Sequence, residues 1–193
     1  MVEPSPKTAL LVVDMQVAFR DMTGEASPHI TRLIKLFRAT NASIIFTQHG
    51  HTKEDLTPPI KNQVVRRWGI ENSIAIGSHE WALLPEIEEQ VQRAPVIAKN
   101  TYDAFLNTDL HQHLQRDEID RVIVCGVMTD CCCTTTARSA FNHGFETWLA
   151  EDACGTVDQK QHETGIKGYE FAYGSVLRTS DILHRLDTAG RDS

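Results

Sequence analysis

Residues 121–138 read RVIVCGVMTDCCCTTTAR. The first five, Arg121–Cys125, are a short Val/Ile-rich run of the kind that forms a strand covered on both faces. Gly126 then permits a tight backbone path. Thr129 and Asp130 are suited to cap a following helix, placed at about 131–143. The stretch thus predicts a strand, a turn carrying three consecutive cysteines, and a helix.

Outward from this unit the same rhythm repeats. Five further apolar runs read as strands: Ala9–Val13, Ala42–Thr47, Pro95–Ala98, Glu146–Leu149 and Ser175–Leu177. Helical spacing occupies about 29–40, 83–93, 108–116, 158–170 and 180–188. Alternating strands and helices imply right-handed crossovers. The expected fold is α/β: a doubly wound three-layer sandwich, with a six-stranded, mostly parallel sheet and helices on both faces. One domain, residues 1–193, is expected. Residues 49–82 break the rhythm with two prolines and two tryptophans and no sustained period. Such a segment reads as a lid or an interface. The closing residues 191–193 are expected to fray.

Composition narrows the function. The 193 residues hold 19 Lys and Arg against 26 Asp and Glu, a formal charge of −7. That balance argues against nucleic-acid backbones and anionic membranes as partners. No run approaches the roughly 20 apolar residues of a membrane span. The short apolar stretch after the polar opening is interrupted by Asp14, unlike a signal peptide core. Five cysteines, three of them vicinal, suit neither a disulfide scaffold nor a spaced zinc site. A reduced, cytoplasmic setting is expected.

In a doubly wound sheet, ligands bind beyond the carboxyl ends of the strands, where strand order reverses. Asp14 ends the first strand, Lys99 ends the third, and the cysteines follow the fourth. Each has an ordinary reading: a helix cap, a solvated charge, a small buried hydrophobe. Taken together, topology sets them on one side of the sheet. A cysteine in a first helical turn would gain from the local N–H groups and dipole, which lower thiol pKa and can hold an oxyanion. Successive helical residues point about 100° apart, so one of Cys131, Cys132 and Cys133 faces the crevice. Spacing does not choose among them.

Four segments, LLVVDMQVAF (10–19), FTQHGH (46–51), AKNTYDAF (98–105) and VIVCGVMTDCCCTTTARSAFNHGF (122–145), together resemble the isochorismatase-like cysteine hydrolase superfamily. KNTYDAF, the GVMT–CC–TTAR pattern and FAYG (171–174) are most similar to its plant-type nicotinamidase branch. The resemblance implies Asp14, Lys99 and the nucleophile Cys132 as the catalytic set. It also implies a cis peptide at Val127–Met128 that helps aim the Met128 and Cys132 amides at an oxyanion. The implied reaction is hydrolysis of a small-molecule amide through a thioester. Vinyl-ether hydrolysis, a catalytically silent interaction protein and a thiol-redox role through Cys131 and Cys133 stand as alternatives. A homo-oligomer is also implied.

His49 and His51 lie two apart, on one side of an extended segment. They read either as a metal pair or as groups that hydrogen-bond in the pocket. Metal-binding nicotinamidases carry Asp where His49 stands, and His79 is far along the chain. No cofactor is therefore expected to be required, and a divalent metal is the less favoured alternative. Phe19, His49, Trp68, Tyr102 and Phe105 are candidate substrate contacts, with core packing the competing role for Phe19 and Phe105. Arg66 and Arg67 could balance a carboxylate or simply lie on the surface.

Overall fold

A computed structural model describes residues 6–189, so the expectation for residues 191–193 lies outside the described residues. Among them, six strands form one sheet: β1 (Thr8–Val13), β2 (Ile44–His49), β3 (Val96–Lys99), β4 (Arg121–Val127), β5 (Glu146–Gly155) and β6 (Ser175–Leu177). Their order is β3-β2-β1-β4-β5-β6, and every pairing is parallel, which sharpens the expected mostly parallel sheet. The order reverses between β1 and β4, the central pair.

The alternation of β1 shows how the layers arise. Ala9, Leu11 and Val13 face one core, together with Leu110 and Leu114 of α4 (Leu110–Arg116), Ala137 and Ala140 of α5 (Thr134–Asn142), and Tyr169 of α6 (Gln159–Glu170). Leu10 and Val12 face the other core, with α1 (Ser27–Ala39), α3 (Pro85–Val91) and α7 (Thr179–Ala189). Helix α1 buries Ile30, Leu33, Ile34 and Phe37. That i, i+3, i+4, i+7 stripe is the pattern a helix needs to cover a sheet.

Three departures from the sequence reading have physical causes. Strand β2 is displaced two residues along the chain from its expected place, because the polar Gln48 and His49 pair with Ala98 and Lys99 of β3 and the His49 backbone is tied in by Gln16. Gln16 accepts from the His49 N–H through Oε1 at 2.7 Å and donates Nε2 to the His49 carbonyl at 2.9 Å. Strand β5 runs on to Gly155 through Glu151 and Asp152. Asp152 earns its place there by accepting from the Thr179 N–H and hydroxyl at the start of α7. The third departure is the irregular segment, which holds α2 (Gln63–Trp68) and a 3-10 turn, Ile70–Asn72. Six residues are too few to display a helical period; the Asn62 side chain starts α2 by accepting from Val64 N and Val65 N.

Gly126 has φ +118, and a Cβ there would collide with the Val13 backbone carbonyl of the adjacent strand. Both backbone strain and overpacking oppose a side chain at this point. Gly126→Ala is expected to lower stability by about 1–3 kcal/mol, read as a lower denaturant midpoint at unchanged slope. An unchanged midpoint would show that β1 and β4 need no such close approach.

Candidate active site

The strand ends bring three reactive groups together. Asp14 follows β1 directly, with φ 48. Lys99 closes β3, the outer strand, and its side chain spans the width of β2 to reach the centre. Its Nζ lies 2.6 Å from Asp14 Oδ2, and both side chains are fully buried. The same Nζ donates to the Thr101 carbonyl at 2.9 Å and to Cys132 Sγ at 3.4 Å. One ammonium thus touches carboxylate, carbonyl and sulfur.

The cysteine run does not begin an α-helix as expected. Thr129–Cys133 form a π-turn, and α5 starts only at Thr134. Neither Thr129 nor Asp130 caps a helix with its side chain; Met128 holds the cap position. Thr129 instead donates its hydroxyl to the Gly155 carbonyl, and Asp130 accepts from the Thr156 hydroxyl at 2.6 Å. These bonds anchor the turn to the last residue of β5 and to the residue after it. The turn sends the three thiols apart. Cys133 enters the core under α5, Cys131 is half-buried at the cavity wall, and Cys132 meets Lys99. The peptide bond Val127–Met128 is cis.

The electrostatics also depart from the sequence reading. Burial pushes the Cys132 thiol well above the ordinary thiol range, and the nearby Lys99 charge opposes this without overcoming it. Cys132 is therefore a neutral thiol at rest. Burial works against the Lys99 charge, but the adjoining Asp14 outweighs it and holds Lys99 protonated. The resting site is a carboxylate–ammonium pair beside a thiol.

A cavity of about 250 Å³ opens over Cys132. Phe19, Trp68, Tyr102 and Met128 line it, as do His49 and His51. Val64, Ile74 and Val157 add apolar wall that the sequence reading did not single out. Trp68 is half-exposed, and its Nε1 donates to the Tyr102 hydroxyl at 2.7 Å, joining α2 to the loop after β3. Arg67 sits over the Trp68 ring, while Arg66 donates to the Ile60 carbonyl; neither lines the cavity. Phe105 is a correction. It is buried in the core and stacks on His143 at 4.9 Å, away from the cavity wall. Its spacing after Asp103 carries it inward with Ala104, so core packing is its role. Thr47 and Gln16, which hold the strand ends, escaped the sequence reading because uncharged residues in an apolar run give no signal of their own.

The two histidines meet edge to face, with ring centroids 4.9 Å apart. Burial, followed by the Lys99 charge, lowers His49 to about 4, and burial lowers His51. Both are neutral near pH 7. Neutral imidazoles can ligate a metal, yet among the described residues no group of three or more His, Cys, Asp or Glu side chains could hold one. His79 lies exposed beside Glu80. Catalytic zinc sites take three protein ligands, so this donor set does not fit such a site.

A buried carboxylate, ammonium and thiol thus meet at the switch point of a parallel α/β sheet, and comparison with known proteins gives the family. The isochorismatase domain matches residues 8–181, and the chain belongs to that family of hydrolases. It is 33% identical over 185 residues to nicotinamidase 3 of Arabidopsis thaliana, covering 95% of this chain and 90% of that protein. It is 29% identical to the ureidoacrylate amidohydrolase of Yersinia enterocolitica, covering 78% and 76%. The crystal structure of a cysteine hydrolase from Pseudomonas syringae shares the fold, with TM-score 0.85 at 22% identity over 98% of this chain and 100% of that one.

The depressed His49 has a sign that can be checked. Its folded pKa of about 4 lies below the unfolded 6.5, so the unfolded chain gains a proton first as pH falls. Stability therefore drops between pH 6.5 and 4, by about 3 kcal/mol from this group at 1.36 kcal/mol per unit, and is unaffected above 6.5. His49→Gln is expected to flatten this part of the stability–pH curve. Equal slopes in the two proteins would place His49 in a solvated setting.

Proposed function

We propose that this protein is a cysteine-dependent amidohydrolase that cleaves a small carboxamide through a thioester on Cys132. The observation that carries the reading is the buried contact of Lys99 with both Asp14 and Cys132. Asp14 takes the thiol proton. Lys99 holds the carboxylate in place beforehand and stabilises the thiolate as it forms. Cys132 Sγ attacks the amide carbon, and the Met128 and Cys132 amides receive the developing oxyanion. Asp14 returns its proton to the leaving amine, and ammonia departs. Water, deprotonated by Asp14, then attacks the thioester and frees the acid and the thiol.

The charge arithmetic favours this division of labour. Moving a proton from Cys132 to Asp14 leaves the net charge of the three groups unchanged, so the buried site never carries an uncompensated ion. The lining also bears on the substrate. It includes no Lys, Arg, Asp or Glu, and burying a carboxylate there without a cation would be costly. An uncharged amide with a flat, apolar body suits the cavity. Nicotinamide is the first candidate, supported by the similarity to a plant nicotinamidase. Five free cysteines accord with a reducing compartment, and we place the reaction in the cytoplasm.

Ammonia release over a panel of small amides, with isochorismate as a non-amide control, tests the reading. Turnover of at least one uncharged amide is expected, with Cys132→Ala inactive but folded. Steady turnover by pure Cys132→Ala, or cleavage of isochorismate alone, would overturn it.

A further inference from the structure

Asp14 stands just past the end of β1 and Lys99 at the end of β3, two strands that do not pair. Strand β2 lies between them, so something on β2 must fill the space beneath the ion pair. In register, Phe46 pairs with Val12 on one side and Val96 on the other, and Thr47 pairs with Ile97. Thr47 is thus one step past the last β1 pair, level with the chain as it turns into Asp14. It is fully buried.

The Thr47 hydroxyl makes two bonds to one residue. It accepts from the Asp14 backbone N–H at 3.1 Å and donates to Asp14 Oδ1 at 2.6 Å. Lys99 occupies the other carboxylate oxygen, Oδ2, at 2.6 Å. The carboxylate is therefore held from both sides. The backbone at Asp14 needs holding too, since its φ of 48 is a region that non-glycine residues seldom occupy. A hydroxyl can satisfy both donor and acceptor at once, and threonine supplies it on a β-branched frame suited to a strand.

We infer that Thr47 is a positioning residue for the reaction, fixing the rotation of the Asp14 carboxylate so that its free lone pair meets the Cys132 thiol. This rests on Asp14 acting as the base. Thr47 touches neither the sulfur nor the cavity; its donation to Oδ1 leaves the approach to Cys132 to the remaining lone pairs. Without it the carboxylate could turn about its Cα–Cβ and Cβ–Cγ bonds, and a buried N–H would lose its partner.

The test compares hydroxyl-bearing with hydroxyl-free side chains. Thr47→Val keeps the volume and loses both bonds; Thr47→Ser keeps the bonds. On an amide that the wild type cleaves, Thr47→Val is expected to lose at least tenfold in kcat with KM within threefold. The single-turnover rate of acyl transfer to Cys132 should fall alongside kcat, while Thr47→Ser stays within threefold of wild type throughout. If Thr47→Val does not fold, Thr47→Ala against Thr47→Ser makes the same comparison. Unchanged kcat in a folded hydroxyl-free variant would overturn the inference, as would equal losses in the serine variant. Those outcomes leave the proposed mechanism standing if Cys132→Ala is inactive; an active Cys132→Ala protein would remove that mechanism instead.

Discussion

The site depends on the buried ion pair between Asp14 and Lys99. Two fully buried charges 2.6 Å apart are an expensive way to stabilise a fold, since desolvation commonly cancels most of the attraction and an apolar pair often does as well. Such a pair is better understood as something a site needs. Here Asp14 holds the Lys99 ammonium protonated against its burial. The pair sets that ammonium beside the Cys132 sulfur, whose thiol burial keeps neutral at rest. The histidines register the same field, since Lys99 helps to hold His49 neutral.

The sheet order explains how three distant segments serve one pair. Strand β1 delivers the carboxylate and its neighbour β4 leads into the thiol, on either side of the point where the order reverses. The long Lys99 side chain reaches in from the outer strand to meet the carboxylate. The intervening β2 is held by Gln16 and Thr47, whose side chains take up backbone and carboxylate groups at its end. The π-turn then gives the three cysteines three environments: cavity wall, ion pair and core.

Much of this was legible in the sequence, and the reasons differ by residue. The Val/Ile runs of β1 and β4 announce strands covered on both faces, because burial on both sides demands apolar residues throughout. Strand ends carrying Asp14 and Lys99 were visible as charges closing apolar runs. The end of β5 was hidden because the acidic Glu151 and Asp152 break the apolar run, and the partners that hold them, Arg178 and Thr179, lie just before α7 and at its start. Helix α2 was hidden by its length. The choice of Cys132 came from family resemblance, since spacing treats three successive cysteines alike. The raised thiol pKa could not be read at all: a helix start suggested a lowered one, and only three-dimensional burial reverses the sign.

The cavity over Cys132 has largely apolar walls without Lys, Arg, Asp or Glu, and Trp68 and Tyr102 in its wall are joined by a single hydrogen bond. The reactive groups come from the strand ends, while His51, Val64, Trp68 and Ile74 of the irregular segment supply part of the wall. The central claim is that Cys132 carries the acyl group. Acid-quenching the protein during turnover of a cleaved amide, then mapping peptide masses, tests it directly. The account predicts a mass gain equal to the acyl group on the peptide's Cys132, absent from Cys132→Ala. An acyl adduct on Cys131 instead, or full turnover with no adduct on any cysteine under single-turnover sampling, would contradict it.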